Sequence, residues 1–246
     1  TLELAQKEGY AEPDPTFDIE GLDAAHKIGI LSSLAFGTSL PPDNFYIEGI
    51  SEIKNIDFKY AKEMGYTIKH LAVSKLNESK IELRAHPALI KMDSYLAGLK
   101  SVRNGIEVET DLLGTLHIAG SGAGQESTAS GVISDLVHLA NANNNFLEIN
   151  AANKNELINF SSLSFQYYFY LEAEDIPGVM ATVTSKFSEK NVGIESIVQK
   201  EDHKNNKVPI VIITDLFVEK DHSDLLHTLK ELNSVSKVRS IRIEPR

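Results

Sequence analysis

The chain has 246 residues, no cysteine and a formal net charge of −11 at pH 7. This length accommodates one large or two ordinary domains, and the missing cysteines exclude disulfides and thiolate ligands, so we predict no metal site. The excess of acidic residues argues against nucleic acid as a partner. Since no apolar run approaches the ~20 residues of a membrane span, we also expect no membrane partner and a cytoplasmic protein.

An acidic, kinked loop is the first informative stretch, in the run GYAEPDPTFD at residues 9–18. Pro13 and Pro15 lack amide donors and bias the residues before them towards extended conformations, so this loop cannot be helical. Its backbone presents one phenol and three carboxylates: Tyr10, Glu12, Asp14 and Asp18.

A helix is predicted to follow, because apolar residues recur at helical spacing from Gly21 to Gly37, a normal C-terminal breaker. Asp23 and Lys27 are four residues apart in it, so their side chains lie on one face. A carboxylate one turn before a lysine, entered from an acidic loop, fits an amino-acid-binding and proton-transfer site. From the spacing alone, a solvated surface pair is the more common outcome.

The whole stretch GYAEPDPTFDIEGLDAAHKIGILSSLAFG resembles the substrate-site segment of homoserine dehydrogenase, almost position for position. The resemblance implies that Lys27 is the acid/base and that Asp23 orients both Lys27 and the substrate. It implies that the amino group of the substrate is bound by Glu12, with Asp18 and Tyr10 as neighbours. The implied reaction is the NAD(P)-dependent interconversion of L-aspartate 4-semialdehyde and L-homoserine, in threonine, methionine and isoleucine biosynthesis.

The next elements predict a helix and a hairpin. The helix has Asp57 as its N-cap and closes at Gly65. Strands at 66–75 and 80–85 form the hairpin, which His86-Pro87 ends. A lone histidine before a proline is more often a turn residue than a catalytic group.

Two further strands, at 105–109 and 116–119, complete the first domain. Its fold class is α+β, an open mixed sheet covered by helices on one face, over residues 1–142. The resemblance implies that this sheet joins two subunits, so we expect a homodimer or a tetramer.

A glycine turn, GSGAG at residues 120–124, opens a predicted helix over 126–139. Such a turn offers free amides and the helix dipole to an anion, although a plain strand-to-helix turn fits the same pattern. The resemblance implies that Gly122, Ala123 and Gly124 lie against the nicotinamide end of the cofactor. Glu126 and Ser127, which depart from the family pattern, make that contact less favourable.

The G-x-G-x-x-G fingerprint of a dinucleotide-binding domain is not found near the start of the chain. Residues 1–8 have the pattern of a helix end, so we expect a fragment that lacks this domain. NAD(P) is then the cofactor of the full-length enzyme, with none bound tightly to this chain alone. The apolar face of the helix at 126–139 should be exposed or covered by a neighbour.

Residues 143–164 are polar and asparagine-rich and are interpreted as a linker. From residue 165 the pattern predicts strand, helix, strand, strand, helix and strand, a ferredoxin-like βαββαβ unit over 165–246. The run DIPGVMA, with IESIVQ after the helix, resembles an ACT domain, a module that binds amino acids and is often attached to amino-acid biosynthetic enzymes.

The ACT resemblance implies an effector pocket where the first strand meets the first helix, framed by Asp175, Ile176, Pro177, Gly178 and Val179 and completed by Ile197 and Gln199. Threonine is the effector that the family implies. A glycine beside a helix N-terminus offers free amides to a carboxylate, which supports the interpretation without the family. A purely structural dimerisation domain fits the same fold.

Two functions therefore stand side by side. The first is the substrate-binding and regulatory portion of homoserine dehydrogenase, inactive alone because the dinucleotide domain is missing. The alternative is a non-catalytic, amino-acid-sensing dimer that contains an ACT domain.

Overall fold

A computed structural model describes residues 14–38, 45–141, 155–199 and 206–244. Six helices lie in these ranges: α1 (Thr16–Ile19), α2 (Leu22–Phe36), α3 (Asn55–Glu63), α4 (Gln125–Asn141), α5 (Val179–Glu189) and α6 (Glu219–Lys230). None of these six is long and apolar enough to cross a membrane.

The same ranges hold eleven strands: β1 (Tyr46–Ile47), β2 (Tyr66–Asn77), β3 (Lys80–Lys91), β4 (Arg103–Thr110), β5 (Gly114–Ser121), β6 (Glu156–Leu157), β7 (Ser164–Glu174), β8 (Ile194–Gln199), β9 (Lys207–Thr214), β10 (Phe217–Val218) and β11 (Val235–Ile243). Short 3-10 helices occupy Leu96–Gly98 and Phe160–Ser162. The second of these and β6 lie within the stretch that the sequence suggests is a linker.

Helix α2 begins and ends where the sequence predicts. Gly21 precedes it and Gly37 follows it, both in the left-handed region, with φ of 81° and 59°. Helix α3 begins earlier than predicted, and the assignment of Asp57 as its N-cap is wrong. Lys54 is the N-cap, and Asp57 lies in the first turn, where its carboxylate accepts a hydrogen bond from the Lys54 amide at 2.9 Å.

The predicted hairpin is present as β2 and β3, but both strands are longer than expected. The prediction that His86-Pro87 ends the second strand is wrong, since β3 continues to Lys91. Proline is compatible with extended backbone. Beyond Pro87, β3 stays paired on both edges, with β2 on one side and β11 at Ala88 and Leu89 on the other.

Strand β3 connects the two halves of the chain. The edge that β2 leaves free is shared by three short parallel pairings, with β6 at residues 80–81, β1 at 84–85 and β11 at 88–89. The result is an open mixed sheet in which the last strand of the chain joins the first hairpin.

The predicted βαββαβ unit is confirmed. Its strands are ordered β11-β7-β9-β8, and all three pairings between them are antiparallel. Helices α5 and α6 cover one face, where their apolar residues pack on alternate side chains of the sheet. The strand residues in this core are Phe165, Tyr167, Phe169, Leu171, Ala173, Ile210, Ile212, Val235 and Val238.

The opposite face of the ACT sheet is covered by the first half of the chain. Tyr60 and Ala61 of α3 pack with Ile68 and Leu89 of the hairpin against this face. The strand residues that they contact are Tyr168, Tyr170, Val211, Ile213, Ile241 and Ile243. The central strands β7 and β9 are therefore largely buried on both faces, which fixes the position of the ACT sheet relative to α3.

Strands β4 and β5 form a two-stranded sheet of their own rather than extending the large sheet. Helix α4 follows, and, as expected, its apolar residues are exposed: Val132, Ile133, Leu136, Val137 and Leu139.

Candidate functional site

The Asp23 and Lys27 side chains lie together on the solvent side of α2. Lys27 Nζ donates to Asp23 Oδ2 at 2.6 Å, and the two side chains are 56% and 38% exposed. The pair is thus preformed and accessible. The ammonium is accessible to a bound molecule, and the exposure of both side chains equally fits a solvated surface pair.

The loop that leads into α2 is described only from residue 14. Asp14 accepts hydrogen bonds from the Thr16 hydroxyl at 2.6 Å and the Thr16 amide at 3.1 Å, and these bonds lower the pKa of the Asp14 carboxyl. Asp18 is exposed and lies in α1, so the prediction that the loop cannot be helical is wrong for its last residues. Tyr10 and Glu12 lie outside the described residues, so their roles stay predictions.

The start of α2 is fixed by a close backbone crossing. A Cβ on Gly21 would lie 2.9 Å from the His70 ring and 3.3 Å from the Glu48 carbonyl oxygen. His70 Nε2 lies within hydrogen-bond distance of the same oxygen, at 2.9 Å. A Cβ on Gly49 would lie 2.4 Å from the Ile19 carbonyl oxygen. The Ile50 amide donates to that same oxygen at 2.9 Å. Only glycine fits at either position, and the segment 48–50 therefore sets where α2 begins.

The predicted glycine turn leads directly into α4. The Gly122 amide donates to the Val102 carbonyl at 2.9 Å, and Gly124 has a φ of 118°. No atom beyond the neighbouring residues lies within 4 Å of a Cβ built on Gly120, so the backbone is approachable from that side. At Gly122 the turn is crowded, since an added Cβ would lie 1.9 Å from the side-chain amide nitrogen of Asn104.

The predicted effector residues lie at one end of the ACT sheet. Residues 175–178 connect β7 to α5, and Gly178 is the α5 N-cap with a φ of 94°. Gln199 pairs with Ile210 and Ile197 with Ile212, so both point to the face that α5 covers. The Asp175 amide donates to the Asn206 carbonyl at 3.0 Å, which brings the loop to the start of β9.

These effector residues are accessible as a group. Ile176 is 50% exposed and Ile197 is 39% exposed, whereas Val179 is buried. Space is open beside Gly178, where an added Cβ would meet nothing within 4 Å. An amino acid could therefore contact the α5 N-terminus and the apolar side chains together.

A buried arginine that the sequence did not single out, Arg242 of β11, joins the ACT sheet to the first half of the chain. Its Nη1 donates to Glu48 Oε2 at 2.6 Å. Its Nε and Nη2 donate to the two Glu219 carboxylate oxygens at 2.9 and 2.6 Å. Nη2 also donates to the Tyr46 hydroxyl at 3.0 Å. Although burial opposes its charge, the hydrogen bonds to Glu219 raise the pKa of Arg242 above its ordinary value.

A second buried arginine, Arg84 of β3, lies beside this cluster. Its Nε donates to Glu82 Oε1 at 2.8 Å and its Nη2 to Glu244 Oε2 at 3.0 Å. His86 Nε2 lies 2.7 Å from Arg84 Nη1, and Nδ1 lies 2.9 Å from the Pro87 carbonyl oxygen. Burial, with Arg242 and Arg84 nearby, lowers the pKa of His86 well below its ordinary value. His86 is thus a hydrogen-bonded core residue of a strand, and its interpretation as a turn residue is wrong.

A third ion pair links β11 to α3. Arg239 Nε and Nη2 donate to the two Asp57 carboxylate oxygens, both at 3.0 Å. The guanidinium also lies 4.4 Å from the centre of the Tyr170 ring. One sequence signal could have found these residues, because charged side chains within strands that are otherwise apolar require buried partners.

A cavity of about 320 Å³ lies between α6, β11 and the segment that carries Glu48. Its lining includes Tyr46, Glu48, His222, Arg239 and Arg242. The cavity gives Glu48 access to solvent beside the buried arginine.

Comparisons with known proteins agree with this geometry. A homoserine dehydrogenase family model matches residues 1–137, and an ACT domain model matches residues 167–237. Homoserine dehydrogenase of Pseudomonas aeruginosa is 41% identical over an alignment of 254 positions, which covers 99% of this chain and 58% of that protein. Homoserine dehydrogenase of Helicobacter pylori is 38% identical over an alignment of 248 positions, with the same two coverages.

Solved structures give the same result. A crystal structure of a homoserine dehydrogenase from Thiobacillus denitrificans has a TM-score of 0.86 at 37% identity, covering 99% of this chain and 57% of that chain. The fold and the two family models define a protein in which an α+β domain is joined to an ACT domain. The chain belongs to the homoserine dehydrogenase family. It spans about 58% of the length of the curated relatives that it matches.

Proposed function

We propose that this chain is the substrate-binding and regulatory part of an enzyme that interconverts L-aspartate 4-semialdehyde and L-homoserine with NAD(P). The observation that carries the proposal is the contact between Lys27 and Asp23, 2.6 Å apart and open to solvent on α2. In this proposal residues 1–142 are the substrate and dimerisation domain, 143–164 the linker and 165–246 the ACT domain.

The two side chains have different roles in the proposed reaction. The Lys27 ammonium gives a proton to the aldehyde oxygen during reduction, and the same nitrogen takes the hydroxyl proton of homoserine during oxidation. Asp23 orients Lys27 through their hydrogen bond and keeps it within reach of the substrate. Glu12, with Asp18 and Tyr10, binds the amino group of the substrate, since a carboxylate is the natural partner of an ammonium.

The cofactor proposal rests on the family resemblance of the glycine turn that leads into α4. When bound, a nicotinamide dinucleotide supplies or accepts the hydride. Gly122, Ala123 and Gly124 would lie against its nicotinamide end, with open space beside Gly120 and the Asn104 side chain packed against Gly122. The exposed Glu126 carboxylate beside the turn disfavours the phosphate groups of the cofactor, which counts against this contact.

We propose that the protein is a homodimer that uses the β4–β5 sheet. The side chains of Ile106, Val108, Leu116 and Ile118 are between 37% and 59% exposed, and contiguous exposed apolar surface of this kind indicates a protein interface. Ile118→Arg should convert a dimer to a monomer in light scattering, whereas Leu216→Arg, an exposed apolar position of the ACT domain, should not.

The ACT domain is proposed to bind threonine at residues 175–179 with Ile197 and Gln199. Calorimetric titration with threonine, isoleucine, serine and methionine tests this, and threonine should bind most tightly. Ile197→Ala should weaken binding about tenfold, since it removes about 1.4 kcal/mol of apolar contact. Leu216→Ala is the matched control, because Leu216 is exposed on the same domain away from the pocket. Absence of heat with all four amino acids would contradict the sensing role.

The catalytic proposal is tested by homoserine oxidation in two samples. One is a polypeptide that carries this chain together with a dinucleotide-binding domain, and the other is this chain alone. We expect NAD(P)-dependent turnover in the first sample and none in the second. Turnover by the chain alone would refute the expected inactivity. Threonine binding without turnover in the joined polypeptide would favour the non-catalytic, amino-acid-sensing dimer.

A further inference from the structure

Strand β11 of the ACT domain is tied to the first half of the chain by side chains as well as by the sheet. Three ion pairs cross this junction: Arg84–Glu244, Arg239–Asp57 and Arg242–Glu48. A fourth ion pair of the same strand, Lys237–Glu172 at 3.1 Å, stays within the ACT domain. The junction pairs therefore have a matched internal control.

Of the three junction pairs, Arg242–Glu48 requires the least free energy to open. Asp57 and Glu244 have side chains 0% and 8% exposed, so opening either of their pairs leaves a buried carboxylate without its arginine. The Glu48 side chain is 34% exposed and borders the 320 Å³ cavity. Water can therefore replace Arg242 at Glu48. Arg242 for its part keeps its two hydrogen bonds to Glu219.

The backbone of Glu48 is in direct contact with the start of the substrate helix. Its amide donates to the Ala85 carbonyl at 2.8 Å, and its carbonyl oxygen meets His70 Nε2 at 2.9 Å. The same carbonyl and the His70 ring leave no space for a side chain on Gly21, the residue before α2. A displacement of Glu48 thus acts on the residue from which α2 starts, six positions before Lys27.

Strand β11 also reaches the effector end of the ACT domain. The Glu174 amide, one residue before the 175–178 loop, donates to the Ser234 carbonyl at 2.8 Å. From there β11 pairs continuously with β7, apart from one bulge, as far as Ile243. A ligand that displaces this loop would therefore also displace β11, the strand that carries Arg242.

We propose that the Arg242–Glu48 contact is the switchable link between the two sites, and that Glu48 is a positioning residue for the substrate helix. The inference rests on the proposed function and names the side chains through which its effector would act. An effector that favours the closed Arg242–Glu48 contact holds Gly21 and α2 in one position. When the effector dissociates, the contact opens more often and Gly21 and α2 can move. Coupling between two sites requires such an element with two arrangements, each biased by one ligand.

The test is a linkage measurement on this chain. Homoserine is titrated by calorimetry with and without saturating threonine, and the ratio of the two dissociation constants is the coupling factor. For the unmodified chain we expect a ratio in the usual range of about 5–150-fold. In Glu48→Gln, which keeps the side-chain size and loses the charge, the ratio should fall towards one. Each ligand should still bind on its own.

Two controls make the result specific. Lys237→Gln removes an ion pair of the same strand that does not cross the junction, so it should retain the full coupling factor. Arg242→Lys keeps a positive charge opposite Glu48 and should retain part of the coupling factor. This variant takes the place of Glu48→Gln if Glu48→Gln does not fold. A loss of stability that leaves the variant fully folded would not change the ratio of the two dissociation constants, and thermal unfolding checks that it is folded.

The outcomes separate the inference from the proposed function. A ratio near one in the unmodified chain, with both ligands bound, would overturn the inference, and so would an undiminished ratio in Glu48→Gln. Absence of homoserine binding by the unmodified chain would contradict the proposed function instead.

Discussion

Arg242 Nη1 lies 2.6 Å from Glu48 Oε2, which joins two residues 194 positions apart in the chain. Arg242 is buried and also neutralises Glu219. Arg242→Gln should therefore lower the free energy of unfolding by about 3–5 kcal/mol, because it leaves buried carboxylate charge without a partner. Urea denaturation of the two proteins measures this difference.

Lys237→Gln is the control for this substitution. Lys237 pairs with Glu172 from an exposed position on the same strand, so its loss should cost less than about 1 kcal/mol. Equal losses in the two variants would show that the buried cluster does not carry the stability of the junction.

The backbone crossing at the start of α2 gives a second prediction. Gly21→Ala should destabilise the protein more than Gly65→Ala, although the two glycines have nearly the same φ, 81° and 82°. Both changes pay about 1–2 kcal/mol for the left-handed conformation. Only Gly21 has a neighbour in the way, the His70 ring at 2.9 Å, whereas nothing lies within 4 Å at Gly65.

The His70 ring cannot move aside without losing its contact with the Glu48 carbonyl. We therefore expect Gly21→Ala to lose at least about 1 kcal/mol more than Gly65→Ala in urea denaturation. Equal losses would mean that segment 48–50 does not hold the start of α2.

His222 gives the stability a pH dependence. Burial, followed by the nearby Arg242, lowers the pKa of His222 from 6.5 to about 4. Between these values the unfolded chain binds a proton that the folded protein does not. The free energy of unfolding should therefore fall as the pH decreases through this window, by up to about 1.4 kcal/mol per pH unit from this residue.

His222→Gln should remove this contribution and flatten the fall between pH 6.5 and 4. His86 adds a slope of the same sign, because its pKa is also lowered, so the comparison with the unmodified protein isolates His222. His227→Gln, at an exposed position of the same helix, should leave the profile unchanged. An identical profile for His222→Gln and the unmodified protein would contradict the burial argument.

Local patterns predicted most of the elements correctly. Helix α2 and the strands and helices of the ACT domain have strong periodicity and clear glycine boundaries, and these are properties of short stretches. The Asp23–Lys27 contact was likewise predictable, since helical geometry alone places residues four apart on one face.

Contacts between residues far apart in the chain could not be predicted from local patterns. The parallel pairing of β11 with β3 joins Arg242 to Ala88, and no local pattern specifies a partner so distant in the chain. Asp57 was predicted as an N-cap because its type suits that position. Its carboxylate accepts the Lys54 amide from within the first turn and also pairs with Arg239, which lies 182 positions further on and which no local pattern identifies.

The most direct test of the account is the turnover of homoserine after substitution of Lys27, in a polypeptide that carries this chain together with a dinucleotide-binding domain. Lys27→Ala should lower kcat by about 10²–10⁴, because it removes the acid/base, while changing the stability by less than about 1 kcal/mol. Lys186→Ala, which removes another lysine paired along a helix with a carboxylate, at 2.8 Å from Glu189, should leave kcat unchanged. A kcat for Lys27→Ala within a few-fold of the unmodified enzyme would contradict the assignment of the active site.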